Sequence, residues 1–194
     1  MKENGFEYVD LGLPSNTMWA TCNVGATKPE DKGLLFQFGR VDGYKYKDNI
    51  NQFKTNDQIT TSGKVYKKYE ILDLEDDAAH VNMGGKWRMP VNDDLKELID
   101  NRIYEVETIN GVKGMMFTSK INGHQLFISF TQGYLYDGTW FNFERPYSYV
   151  WYSQVHDSDI DIAYRLYFRS YDNANVIGLD SCSTAFSVRG VFRK

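Results

Sequence analysis

Cysteine, net positive charge and long apolar runs are what this chain is short of, and each shortage removes a class of protein. Cys22 and Cys182 are the 2 cysteines. They lie far apart in unlike surroundings, so they make neither a disulfide framework nor a zinc site and are expected to be free thiols. A net charge of −4 with a pI near 5.4 and no basic stripe argues against nucleic acid as a partner, because such a protein must displace counterions from phosphates. No run approaches the roughly 18 apolar residues of a membrane span, so no membrane insertion is expected. The N-terminus, MKENGFEYVDLGL, lacks the apolar core of a secretion signal, which leaves retention in the cytoplasm or export as a subunit by another route.

Chemical signatures are equally sparse. GxSxG, P-loop, GxGxxG and HExxH patterns are missing, and VNMGGKW, though Gly-rich, follows a predicted helix instead of opening one and so reads as a cap and turn. His80, His124 and His156 are scattered, so a histidine site would have to be assembled by the fold alone. DLEDDAA is a conceivable metal cradle, but Glu75, Asp76 and Asp77 in a first helical turn are accounted for by the helix dipole and by solvent. DSDID spaces Asp157, Asp159 and Asp161 as a calcium loop does; Ile162, however, stands where an EF-hand needs glycine, and its closing glutamate is missing. No catalytic residue, metal or cofactor is assigned. KWRMP could stack a sugar or a cation; the plainer reading puts Trp87 in the core and has Arg88 tie the loop to a carboxylate or carbonyls.

What is present is aromatic: 15% of the chain is Phe, Trp or Tyr, which favours strands and binding surfaces. FEYVDLGL and TMWATCNVG read as strands, the second apolar on both faces. Residues 39–69 read as long loops. Two short helices follow, one from about Leu74 to Asn82 with Gly84 and Gly85 past its end, the other NDDLKELIDN with Asn92 as N-cap and Leu95, Leu98 and Ile99 on one face. After Arg102 the pattern is β. Asn110-Gly111, Asn122-Gly123 and Asp137-Gly138 punctuate short alternating runs, and strands are expected around Tyr149–Trp151, Tyr164–Phe168 and Phe186–Phe192. Strands, then helices, then many strands make an α+β fold, and 194 residues suit a single domain. The expected core is Trp19, Trp87, Leu95, Leu98, Phe127, Trp151, Phe168, Phe186 and Val188.

The least patterned stretch runs from Arg169 to Thr184, immediately before a strand with one face buried. Lys, Glu, Gln, Met, Trp and Pro are missing from residues 155–192, although Lys, Gln and Trp are not rare in strands or loops. What remains is rich in Tyr, Ser, Asp, Asn, Gly, His and Arg, the vocabulary of adaptable binding loops.

YVDLGLPSNTMWATCNVGA, LDLEDDAAHVNMGGKWRMP and FSVRGV, spaced over nearly the whole chain, resemble the Fibrobacter succinogenes major paralogous domain, a family abundant in gut Bacteroidetes and their phages. That family is similar to C-type-lectin-like folds of the formylglycine-generating-enzyme type, used by variable proteins of diversity-generating retroelements. The resemblance implies a C-type-lectin-like domain over residues 1–194, with a variable-type binding segment at about 150–185 and the last strand as scaffold. It also accounts for the compositional gap, since adenine-targeted mutagenesis of Asn codons ending in a pyrimidine cannot yield Lys, Glu, Gln, Met or Trp. The function implied is display: attachment of a phage particle or bacterial surface to a protein or glycan receptor on a target cell. The ligand contacts would be Tyr152, His156, Asp157, Asp159, Arg169, Tyr171, Asp172, Asn173, Asn175, Asp180 and Ser183. A homo-oligomer or a virion or fibre partner is compatible with this, and so is a purely structural surface subunit. An enzyme is the competing class, but the paired cysteines of formylglycine-generating enzymes have no counterpart in Cys22 and Cys182, and the Glu-Pro-Asn and Trp-Asn-Asp motifs of calcium-dependent lectins are missing. Val91 and Asp94 depart from the family's Thr or Ser cap and Glu, which is expected to move the helix cap to Asn92. Val150 and Tyr152, flanking Trp151 where Tyr and Ser are usual, imply an altered binding face.

Overall fold

The closing run AFSVRGVFR becomes the strand around which the rest is arranged. A computed structural model describes residues 1–45, 60–130, 133–134, 140–141, 147–156, 162–169 and 175–194. In chain order the elements are β1 (Lys2–Glu3), β2 (Phe6–Asp10), β3 (Thr17–Asn23), β4 (Leu35–Gln37), α1 (Ala78–Met83), α2 (Asn92–Asp100), β5 (Arg102–Ile109), β6 (Val112–Ser119), β7 (Gln125–Ser129), β8 (Gly133–Tyr134), β9 (Trp140–Phe141), β10 (Tyr147–Val155), β11 (Ile162–Arg169), β12 (Asn175–Ser181) and β13 (Ala185–Arg193). The fold is mixed α+β, mostly sheet, with two small helices.

One sheet runs β1-β2-β3-β13-β10-β11-β12, with β4 and β8 also on β13 and β9 on β8; the other is the meander β5-β6-β7. Pairing is antiparallel throughout except at β10 and β13, which run parallel through Val150↔Ser187 and Trp151↔Val188. The N-terminal β3 and the C-terminal β13 are neighbours. Asn110 (φ 48°) and Gly111 (φ 81°) turn β5 into β6 as a two-residue hairpin closed by Ile109↔Val112, the positive φ values that this turn needs being those Asn and Gly tolerate best. Asp137-Gly138 and residues 46–59 lie outside the described residues.

The large sheet is buried on both faces. On one side Trp87, Met83, Phe36, Phe38, Trp151, Phe186, Val188 and Phe192 pack together; on the other, Trp19, Val150, Leu166, Phe168 and Val191 meet Leu95 and Leu98 of α2 and Phe117, Leu126 and Ile128 of the small sheet. All nine expected core residues are buried. Trp87 donates through Nε1 to the Glu3 carbonyl at 2.9 Å and meets the Phe192 ring edge-on. Arg88 holds Asp94 through two hydrogen bonds, as expected of a loop tie.

Four expectations need correction. β13 is buried on both faces up to Phe192, because it is a central strand. The residues alternating with Phe186 and Val188 are therefore interior: Ser187 donates to the Lys32 carbonyl, and Arg189, 0% exposed, donates to Asn23 Oδ1 and to the carbonyls of Ala20 and Phe127. The unpatterned stretch contains β12, a seven-residue strand that antiparallel pairing to β11 holds despite its irregular polarity. Helix α1 starts at Ala78, not Leu74. Asp77 is its N-cap, accepting from the His80 N–H, and Asp76 is buried before it, accepting from the Ser62 N–H and hydroxyl and from the Tyr66 hydroxyl. Neither carboxylate faces solvent. Finally, the α2 cap stays at Val91, where the Asp94 carboxylate reaches back to the Val91 N–H at 2.9 Å, so Asp serves in place of the longer Glu.

Candidate functional site

The expected contact residues map to β10, β11, β12 and their connections, and strand geometry separates them. The β11–β12 ladder runs from Ile162↔Ser181 to Phe168↔Asn175, six steps or about 20 Å at ~3.3 Å per residue. His156, Asp180 and Ser183 belong to one end, whereas Arg169 and Asn175 close the other. Asp157, Asp159, Tyr171, Asp172 and Asn173 lie outside the described residues. The described contacts thus lie at opposite ends of the outer strand pair.

Tyr152 is a correction. Its side chain is 0% exposed, packs in the second core cluster with Leu166 and Phe168 and stacks on Tyr164 at 5.3 Å between centroids. Burial pushes its hydroxyl well above the usual tyrosine range, and the buried oxygen has no hydrogen-bond partner. A ligand on the surface cannot reach it. The resemblance put Tyr152 on an altered binding face beside Trp151, but its side chain packs toward the small sheet. His156 stays at the surface: its N–H donates to the Ile162 carbonyl at 3.1 Å, and its ring stands edge-on to Tyr164.

The best-formed polar centre joins β11 to β12. Arg165 Nε donates to Asp180 Oδ2 at 2.8 Å, and the guanidinium lies over the rings of Tyr149 at 4.7 Å and Tyr167 at 5.1 Å. Tyr149 is itself stacked between Tyr167 and Phe186. Directly across the ladder is Gly178, where a Cβ would come within 3.1 Å of Arg165 Nη1, so glycine leaves the space that the guanidinium fills. Asp180 also accepts from the Thr184 hydroxyl and the Ser181 N–H. Ser181 and Ser183 share a hydrogen bond at 2.7 Å, and the Ser183 carbonyl accepts from Gln37 Nε2. Asp180 and Ser183, both expected contacts, are therefore brought into one network, but Ser183 is buried, 7% exposed, held in the turn between β12 and β13 by these bonds, which corrects its place among the ligand contacts. Arg165, Tyr149 and Tyr167 were missed, because in YRLYF an arginine inside an alternating strand looks like an ordinary outward residue. The signal that could have found it is the glycine across the ladder, which needs the register. The centre is largely enclosed, with the Arg165 side chain 16% exposed and Tyr149 buried, so it ties β11 and β12 to the core and leaves the Asp180 carboxylate as its most accessible polar group.

A cavity of about 320 Å³ lies elsewhere, against β2 and β3, lined by Phe6, Ala20, Thr21, Cys22, Asn23 and Met83 among others. Its ionisable lining groups are Lys2, Glu7 and Cys22, the first two paired at 3.9 Å. Cys22 and Cys182 are free thiols. Among the described residues no three His, Cys, Asp or Glu side chains converge as a metal site, and no helix is long and apolar enough to cross a membrane. Compared with models of known protein families, with characterised proteins and with solved structures, the chain matches none.

Proposed function

We propose that this chain is a ligand-binding display domain of C-type-lectin-like plan, carried on a phage particle or bacterial surface, that attaches its bearer to a protein or glycan receptor on a target cell. The observation that carries the reading is where the compositionally restricted segment falls. Its described part forms β11 and β12, the latter at the edge of the sheet, while the adjoining β13 is locked in the core. A rigid strand next to a polar segment meets part of that segment's ordering cost before a ligand arrives. An extended face about 20 Å long suits a receptor surface better than a small substrate. The two helices, the small meander and the neighbouring N- and C-terminal strands are the features of the fold that favour the lectin-like plan.

The test is direct binding of the labelled protein to a panel of gut Bacteroidetes cells and to a glycan array. The variant combines Asp159→Ala, Arg169→Ala and Tyr171→Ala. Large planar contacts carry about 2 kcal/mol each, so binding is expected to fall about a hundredfold or more with an unchanged melting temperature. Equal binding by parent and variant, or no binding by the parent, would overturn the proposal. A near-copy of the coding region for residues 150–190 beside a reverse transcriptase gene would independently support diversification of this face.

A further inference from the structure

The two edges of the large sheet are unlike. β1 is two residues long, Lys2 and Glu3, charged and short as protected edges usually are. At the other edge β12 has seven residues, NVIGLDS, with no Lys, Arg or Pro and no register shift along its ladder with β11. Among the described residues it pairs with β11 alone. Its single charged residue, Asp180, is already engaged by Arg165 of the same chain. On one face the edge is apolar: Ile177 is 38% exposed, Leu179 41% and Ile162 of β11 37%.

From this we infer that β12 is a homodimer edge, pairing antiparallel with β12 of a second copy about a twofold axis at Gly178. The occupant follows from the residue order. An antiparallel pair centred on Gly178 sets Ile177 of each copy opposite Leu179 of the other, and directly opposed residues share a sheet face. Within each chain Leu179 already lies across from Tyr164, and Ile177 across from Leu166. The pairing therefore builds two identical apolar rows across the dimer, Tyr164–Leu179–Ile177–Leu166 and its mate. A shift of one residue would break both rows. On the other face the two glycines meet at the axis, each Arg165–Asp180 pair stays neutralised in its own chain, and among the described residues no uncompensated charge faces its copy. The interface is isologous, so it closes at two copies and does not propagate. One strand pair buries an area at the low end of specific interfaces, below about 1,200 Å², so the dimer is expected to be concentration-dependent. The inference does not rest on the receptor-binding proposal.

Sedimentation velocity on the full chain, from about 1 to about 200 µM to span a weak equilibrium, is expected to show a species of 22.5 kDa giving way to one of twice that mass. Hydrogen exchange at residues 175–181 should slow over the same range. Ile177→Lys with Leu179→Lys, at exposed positions, should abolish the dimer without lowering the melting temperature, while Ile103→Lys, on the exposed face of β5 at 61%, should leave it intact. A parent that stays monomeric throughout, or a dimer that survives the paired lysines with unaltered exchange at β12, would overturn the inference.

Discussion

Single residues carry much of this fold because several interior positions are polar or unusually large. Trp87 is enclosed, hydrogen-bonded to the Glu3 carbonyl and pressed edge-on to Phe192, so Trp87→Ala leaves a cavity and an orphaned acceptor. It should cost about 3 to 5 kcal/mol, read from the shift in the urea unfolding midpoint; a shift worth less than about 1 kcal/mol would refute the placement. Asp94 predicts a pH effect. Burial pushes its carboxyl up, but the Arg88 hydrogen bonds, the Val91 N–H, the Arg88 charge and the Thr17 hydroxyl together hold it below the usual carboxylate range. A depressed folded pKa stabilises above the unfolded value of about 3.9, and that stabilisation is lost as pH falls through the folded value. Asp94→Asn should therefore lower stability at neutral pH and flatten the acid limb of the stability curve; a limb as steep as the parent's would refute the coupling. Arg189 shows the limit of side-chain chemistry as a guide. Burial lowers its pKa to about 10, leaving it charged at neutral pH, and it is satisfied by Asn23 and two backbone carbonyls. No carboxylate at a telling spacing announces such a residue in the sequence.

At the scale of elements, legibility followed the range of the interactions. Helix α2 and the Asn110-Gly111 hairpin were readable because cap, turn and apolar spacing lie within a few residues of one another. The same logic put the α2 cap one residue late, since Val91 has no capping oxygen and Asp94 supplies the bond from inside the helix. β12 was unreadable from within, because what makes it a strand is β11 beside it. Gly190 shows how tightly two elements meet. A Cβ there would lie 2.7 Å from Met83 Sδ and 3.0 Å from Trp87 Cε3, at the point where α1 and the following turn press on β13. The Met83 thioether can yield, but Trp87 is pinned. Gly190→Ala should destabilise by about 1 to 3 kcal/mol through overpacking, as a lowered thermal midpoint; an unchanged midpoint would show that the contact relaxes freely.

For the molecule as a whole, the α+β class and the core were legible, while the order of strands was not, because pairing across a hundred or more positions leaves no local trace. The candidate site divided along the same line. Asp180 was identifiable as a polar surface group, but Ser183 is buried, the Arg165 centre needed the register of β11 on β12, and Tyr152 moved to the core once the faces of β10 were set. The parallel contact between β10 and β13 has a further consequence for biosynthesis. β13 is the strand that β3, β4, β8 and β10 all require, yet it is translated after every one of them. While the ribosome is still short of residue 185, the emerging chain holds β1-β2-β3, β8-β9 and β10-β11-β12 as unjoined pieces of sheet with bare inner edges, exposed to other nascent chains. A transcript truncated before β13 would therefore yield a substrate for proteases and chaperones instead of a smaller stable domain.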